Sequence, residues 1–164
     1  MTFDYEASFR LGHQYAELVT ERLTAYGVRA ELQPLEFAKD AADRQRFTRY
    51  EKDVIVDAGV LEVKSSSREF GDDPKKYPAP SLIVDTFSGF VNKERKPIAY
   101  CMVSQKTAAI VVVPVSSQIR WYTQELHDQR RGIVDTFLMA YRNELKSFVE
   151  LVEWLKGKQI DRSQ

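Results

Sequence analysis

Asp53, Glu62 and Lys64 are the residues of this chain whose types and spacing could do chemistry together. They sit on two β-rich runs, Asp53-Val54-Ile55-Val56 and Val60-Leu61-Glu62-Val63-Lys64, on either side of Asp57-Ala58-Gly59, a turn-forming tripeptide. A two-residue turn at Asp57-Ala58 sets Asp53 opposite Glu62, and one at Ala58-Gly59 sets it opposite Lys64. In either register all three side chains share one face, with opposed Cβ atoms about 5 Å apart. Val54, Val56, Leu61 and Val63 then point to the other face and into a core, because strand side chains alternate. A three-residue turn without a bulge would instead send Asp53 to the far side. Charged groups anchored on apolar strands are costly unless paired or metal-bound. Two carboxylates offer the hard oxygen ligands that suit magnesium or manganese, ions that keep several waters and take a substrate phosphate as a further ligand. A lysine beside them can orient or deprotonate a water, or neutralise charge that develops in a transition state. The competing reading is a solvated ladder on an exposed sheet face. A Glu-x-Lys triplet by itself recurs about once in a few hundred positions by chance.

The elements that must position these residues are legible to different degrees. Leu11, Tyr15, Val19, Leu23 and Tyr26 recur on one arc of a helix, which predicts an amphipathic helix over 6–26 ended by Gly27. Residues 28–32 alternate as a half-buried strand would, and 38–50 read as a polar loop or short exposed helix. The Ser-, Asp-, Lys- and Pro-rich stretch 65–80 reads as a mobile surface loop, and 81–95 has no assignable pattern. Residues 98–103 and 109–113 flank a polar tip at 104–108 and predict a second hairpin, its latter arm a buried strand that Pro114 ends. Ile133, Phe137, Tyr141, Leu145, Phe148, Val152 and Leu155 recur every three or four residues, which predicts one long C-terminal helix over a sheet face. Residues 1–156 are expected to form a single domain, with 157–164 as a C-terminal tail.

Composition narrows the function classes. With 43% hydrophobic and 29% charged residues the chain is ordinary globular material. No apolar run approaches the length of a membrane span, and the first ten residues hold no apolar run behind a basic segment, so a cytoplasmic protein without a membrane role is expected. The single cysteine, Cys101, lies inside an apolar run and reads as a small buried hydrophobe. Lys and Arg balance Asp and Glu at 24 each, so a polyanion contact would have to rest on local patches. Three such patches stand out: Lys75-Lys76, then Lys93 with Arg95 and Lys96, then Arg130-Arg131, and each could track phosphates or simply keep the surface soluble.

Asp53, the short hairpin and Leu61-Glu62-Val63-Lys64-Ser65-Ser66 together resemble the PD-(D/E)XK nucleases, whose shared core is a restriction-endonuclease-like α/β fold. The opening helix with Gly12, Glu17, Leu23 and Gly27, followed by a strand and the hairpin, is similar to archaeal-type Holliday junction resolvases over roughly residues 6–66. The resemblance implies a mixed central β-sheet flanked by helices. It implies that Asp53 and Glu62, helped by the backbone carbonyl of Val63, hold Mg2+ or Mn2+ while Lys64 serves the attacking water. It also implies DNA as the substrate, branched DNA included, and a homodimer that cuts a symmetric junction twice. Relatives usually carry a helix glutamate where this chain has Ala16, so Glu17 is the expected third acid, in competition with a solvated helix-face role. The family also places a helix after the Glu-x-Lys strand, and 65–96 shows no helical period. Two rival functions stay open: a nucleic-acid- or partner-binding module of this fold without turnover, and an exonuclease or restriction-type nuclease.

Overall fold

The β-branched runs in the middle of the chain pair side by side and form its centre. The computed structural model describes residues 5–33 and 53–162, so the polar segment at 38–50 lies outside the described residues. In chain order the elements are α1 (Tyr5–Ala25), β1 (Ala30–Leu32), β2 (Asp53–Val56), β3 (Gly59–Ser66), β4 (Ser81–Thr86), α2 (Phe87–Val91), β5 (Ala99–Ser104), β6 (Ile110–Pro114), β7 (Tyr122–Asp128), β8 (Ile133–Tyr141), β9 (Lys146–Ser147) and α3 (Phe148–Gly157). Short 3-10 turns at Pro74–Lys76, Val115–Arg120 and Arg142–Glu144 join them. The fold is mixed α/β, with a six-stranded sheet in the order β1-β2-β3-β5-β6-β9 and a three-stranded sheet in the order β4-β8-β7. Within the larger sheet β3 and β5 run parallel, and the other neighbours are antiparallel.

Alternation along the strands divides the interior into two cores. Val54, Val56, Leu61, Val63, Cys101, Val103, Ile110 and Val112 pack with Ala16, Val19 and Leu23 of α1 and with Phe148, Leu151, Val152 and Leu155 of α3. Tyr100, Met102, Val111 and Val113, on the opposite face, pack with Leu82, Val84, Leu138 and Ala140 of the smaller sheet. Helices therefore cover one face of the central mixed sheet, and a second sheet covers the other. All six residues of β5 are buried, as suits a strand enclosed on both faces. Burial pushes the Cys101 thiol up to about 12, in keeping with a small buried hydrophobe. Among the described residues no helix is long and apolar enough to cross a membrane.

The first helix ends where expected: Gly27 adopts φ +88° and the Val28 N–H donates to the Leu23 carbonyl. The long C-terminal helix is not formed. Residues 133–141 are the strand β8, because Gly132 at φ +69° closes a hairpin and the β-branched pair Ile133-Val134 suits an extended ribbon with β7. Apolar residues spaced by four satisfy a period of two as well as a helical one, so the pattern could not discriminate. The helix starts only at Phe148, behind a capping box in which Ser147 and Glu150 each satisfy the other's backbone N–H. The tail is tied down at its start: Gln159 Oε1 accepts from the Arg29 N–H, the Ile160 N–H donates to Asp57, and Arg162 pairs with Asp57 at 2.9 Å.

Candidate active site

Asp53 and Glu62 face one another directly across β2 and β3, because the two-residue turn Asp57-Ala58 pairs Val56 with Gly59. Gly59 is required at that point: its φ is +149°, and a Cβ there would come within 2.9 Å of Ile98 Cγ2. On its other side Glu62 is in register with Tyr100 of β5, and Lys64 with Met102. A row of Asp53, Glu62 and Tyr100 thus crosses three strands on the face turned to the smaller sheet. Both acids are buried, each 7% exposed.

Asp85, which the sequence did not single out, and Lys93, which it placed in a basic patch, complete the cluster. Asp85 of β4 accepts from the Tyr100 hydroxyl at 2.7 Å and from Lys93 Nζ at 2.8 Å, and it lies 3.4 Å from Lys64 Nζ. Lys93, just beyond α2, also reaches Glu62 at 3.2 Å, the same distance at which Lys64 meets the other Glu62 oxygen. Strict alternation would put Asp85 on the same face as the exposed Ile83. A β-bulge intervenes: Ile83 pairs with Met139 and Asp85 with Leu138, leaving Val84 as the extra residue, and both Val84 and Asp85 turn inward. Thr86 then caps α2 by accepting from the Gly89 N–H, which brings Lys93 back over Asp85.

Charge explains the electrostatics. Burial and the nearby Glu62 raise the Asp53 pKa to about 7, although Lys93, Arg95 and Lys64 pull it down. Burial alone would raise Asp85 too, but Lys64, Lys93 and the Tyr100 hydrogen bond outweigh it and hold Asp85 below its ordinary value. Burial opposes the charge on Lys64, yet Glu62 and Asp85 together leave its pKa above the ordinary value. Burial and these same carboxylates push the Tyr100 hydroxyl up, so it remains a donor. Three carboxylates thus share two ammoniums, and Asp53, where no cation stands within ion-pair distance among the described residues, is the one that keeps a proton up to about 7.

That end of the cluster suits a cation. A recess of about 20 Å³ opens between Asp53, Glu62, Lys93 and Arg95, enough for one water or one bare ion. Val60 and Ser66 carbonyls accept from the β5 side, so alternation along β3 points the Val63 carbonyl the other way, toward the Asp53 side. Among the described residues no three His, Cys, Asp or Glu side chains converge as a full metal cage. Magnesium requires no such cage, being held by one or two carboxylates with waters and substrate phosphate. The acid pair fits that kind of ion.

The other expected site residues are dispersed. Glu17 is exposed on α1, the helix that covers the opposite face of the central sheet, and its neighbour Ala16 is fully buried in that helix–sheet core. Asp85, rather than Glu17, supplies the third acid of the cluster. Lys93 is an ion-paired member of the site rather than part of a surface patch, and Arg95 lines the recess. Lys96 donates to the Val91 and Lys93 carbonyls, fastening the loop after α2. Lys75 and Lys76 are exposed on a 3-10 turn. Arg130 and Arg131 lie in the β7–β8 turn, where Arg131 pairs with Asp128 and Asp135. Comparison of the chain with protein-family models, with curated proteins and with solved structures finds no match.

Proposed function

We propose that this chain is a metal-dependent deoxyribonuclease of the PD-(D/E)XK kind, with a restriction-endonuclease-like core in its central sheet. One observation carries the reading: Asp53 opposes Glu62 on a buried sheet face with Lys64 two residues on, and among the described residues Asp53 has no ammonium within ion-pair distance. Asp53 and Glu62, with the Val63 carbonyl, would hold Mg2+ or Mn2+. Such an ion, when bound, lowers the pKa of a bound water and stabilises charge on the phosphoryl and leaving oxygens. Lys64, kept protonated by Glu62 and Asp85, orients the attacking water and offsets charge in the transition state. Asp85 positions both lysines, and Tyr100 holds Asp85. Cleavage of branched DNA, action as a homodimer and a cytoplasmic setting belong to the same reading.

A second reading has its own observation. Lys64 and Lys93 already engage both Glu62 oxygens, as they would in a DNA- or partner-binding module that has lost turnover. A cleavage assay on four-way junctions, linear duplex and single strands, with and without magnesium, separates the two. The nuclease reading expects magnesium-dependent cleavage by the wild type, abolished in Glu62→Gln and reduced about 10²-fold or more in Lys64→Ala. Cleavage of every substrate at the wild-type rate by Glu62→Gln would remove the assigned chemistry.

A further inference from the structure

A groove runs away from the Lys64 and Asp85 end of the cluster, between the outgoing end of β3 and the β7–β8 arm of the smaller sheet. Its cavity measures about 800 Å³. Its chemistry is divided. Buried or half-buried Leu126, Phe137 and Met139 form an apolar floor, while exposed Arg68, Arg130 and Arg131 stand at its margins. Lys64, Arg68, Arg130 and Arg131 outnumber the two acids of the lining, Asp85 and Asp128, so the lining carries a net positive formal charge. Exposed Ile133 and Val134 continue the apolar character onto the arm beside the arginines.

We infer that this groove binds an unpaired DNA strand and feeds it to the acid cluster, an inference that rests on the nuclease reading and names its substrate class. The division of the lining selects single-stranded over duplex DNA. A duplex turns phosphates and sugars outward and keeps its base faces stacked, so it gains nothing from an apolar floor. An unpaired strand offers both surfaces at once: phosphates for Arg68 and Arg130, and base faces for Phe137 and its apolar neighbours. The groove leads to Lys64 and Asp85, so a strand lying in it carries its backbone past the lysine assigned to the attacking water.

Fluorescence anisotropy in the presence of a chelator tests this with the full chain, using a labelled single strand and a blunt duplex of equal length. The single strand is expected to bind about ten-fold tighter or more. Phe137→Ala should weaken strand binding by about ten-fold and leave duplex binding unchanged. Arg68→Ala combined with Arg130→Ala, both exposed side chains, should weaken it further and make its salt dependence shallower. Equal or tighter binding of the duplex, or wild-type strand binding by both variants with unchanged melting, would overturn the inference. Magnesium-dependent cleavage with no strand preference overturns it and leaves the nuclease reading intact. Groove-dependent strand binding without cleavage of any substrate overturns the nuclease reading and leaves the groove assignment standing.

Discussion

Leu61 and Glu62 are neighbours in sequence, both buried on β3, and they face opposite worlds. Leu61 looks into a core of aliphatic side chains under α1 and α3. Glu62 looks at two ammoniums and another acid. The apolar side is stabilised by burial alone and would accept many packings of similar volume. The charged side loses hydration and is held only because Asp85, Lys93 and Tyr100 are brought to it from other parts of the chain. A face that costs stability, and that is satisfied by partners gathered from three further elements, is where function should be sought.

The largest effects test whether the two faces matter equally to folding. Leu61→Ala should cost about 3 kcal/mol by leaving a cavity, without changing how stability depends on pH. Asp85→Ala should cost a comparable amount, about 3 kcal/mol, because it leaves two lysines sharing one glutamate and the Tyr100 hydroxyl without its acceptor. Urea unfolding at neutral pH measures both. A wild-type midpoint for Asp85→Ala would mean that the charged face is not organised as described.

A smaller effect separates the faces by pH. In the folded protein Asp53 keeps its proton up to about 7, whereas unfolded it releases it near 3.8. Between those values the folded state binds more protons, so without divalent ions stability should fall as pH rises, by on the order of 1 kcal/mol per pH unit, and level off above about 7. Asp53→Asn should flatten that slope. Asp85 works in the opposite sense at lower pH: its pKa is depressed on folding, so its contribution is full above its unfolded value and disappears as the solution is acidified below it. An Asp53→Asn protein with the wild-type pH profile of unfolding would show that Asp53 does not hold the extra proton of the folded state.

The smallest effect concerns how the partners are delivered. A Cβ on Gly89 would come within 2.5 Å of Thr86 Oγ1 and 3.1 Å of Asp85 Oδ1. Gly89→Ala should therefore break the cap of α2, cost about 1 kcal/mol and loosen Lys93, leaving the aliphatic core untouched. Thermal melting alongside Mn2+ titration calorimetry would check it; unchanged melting would show that the cap does not hold this corner.

The hairpin was legible because its logic is local. Alternation fixed which residues share a face, and Asp57-Ala58-Gly59 limited the registers to a few, one of which the structure adopts. The second hairpin was legible for the same reason, β5 and β6 being apolar runs on either side of a polar tip. What escaped depends on non-local or aperiodic features. Asp85 escaped because a bulge breaks the alternation that would have revealed its direction, and Lys93 because it arrives through a short capped helix in a segment with no pattern. The strand β8 escaped because Ile133, Phe137 and Tyr141 satisfy two periods at once. There the decisive signals were the Gly132 turn and the Ser147–Glu150 capping box, both present in the sequence.

The bulge at Val84 makes the pairing register of β4, rather than residue identity alone, a determinant of the acid cluster. A replacement at Val84 by another small apolar residue fits the buried bulge position and leaves the register, and with it the direction of the carboxylate, unchanged. Were β4 paired evenly instead, with Val84 opposite Leu138 and Asp85 opposite Phe137, alternation would turn the same aspartate outward with Ile83, every residue still in place. A chain on this plan that lacks the extra residue would still reach an inward acid by plain alternation, so a one-residue gap at Val84 in an alignment is compatible with the same cluster.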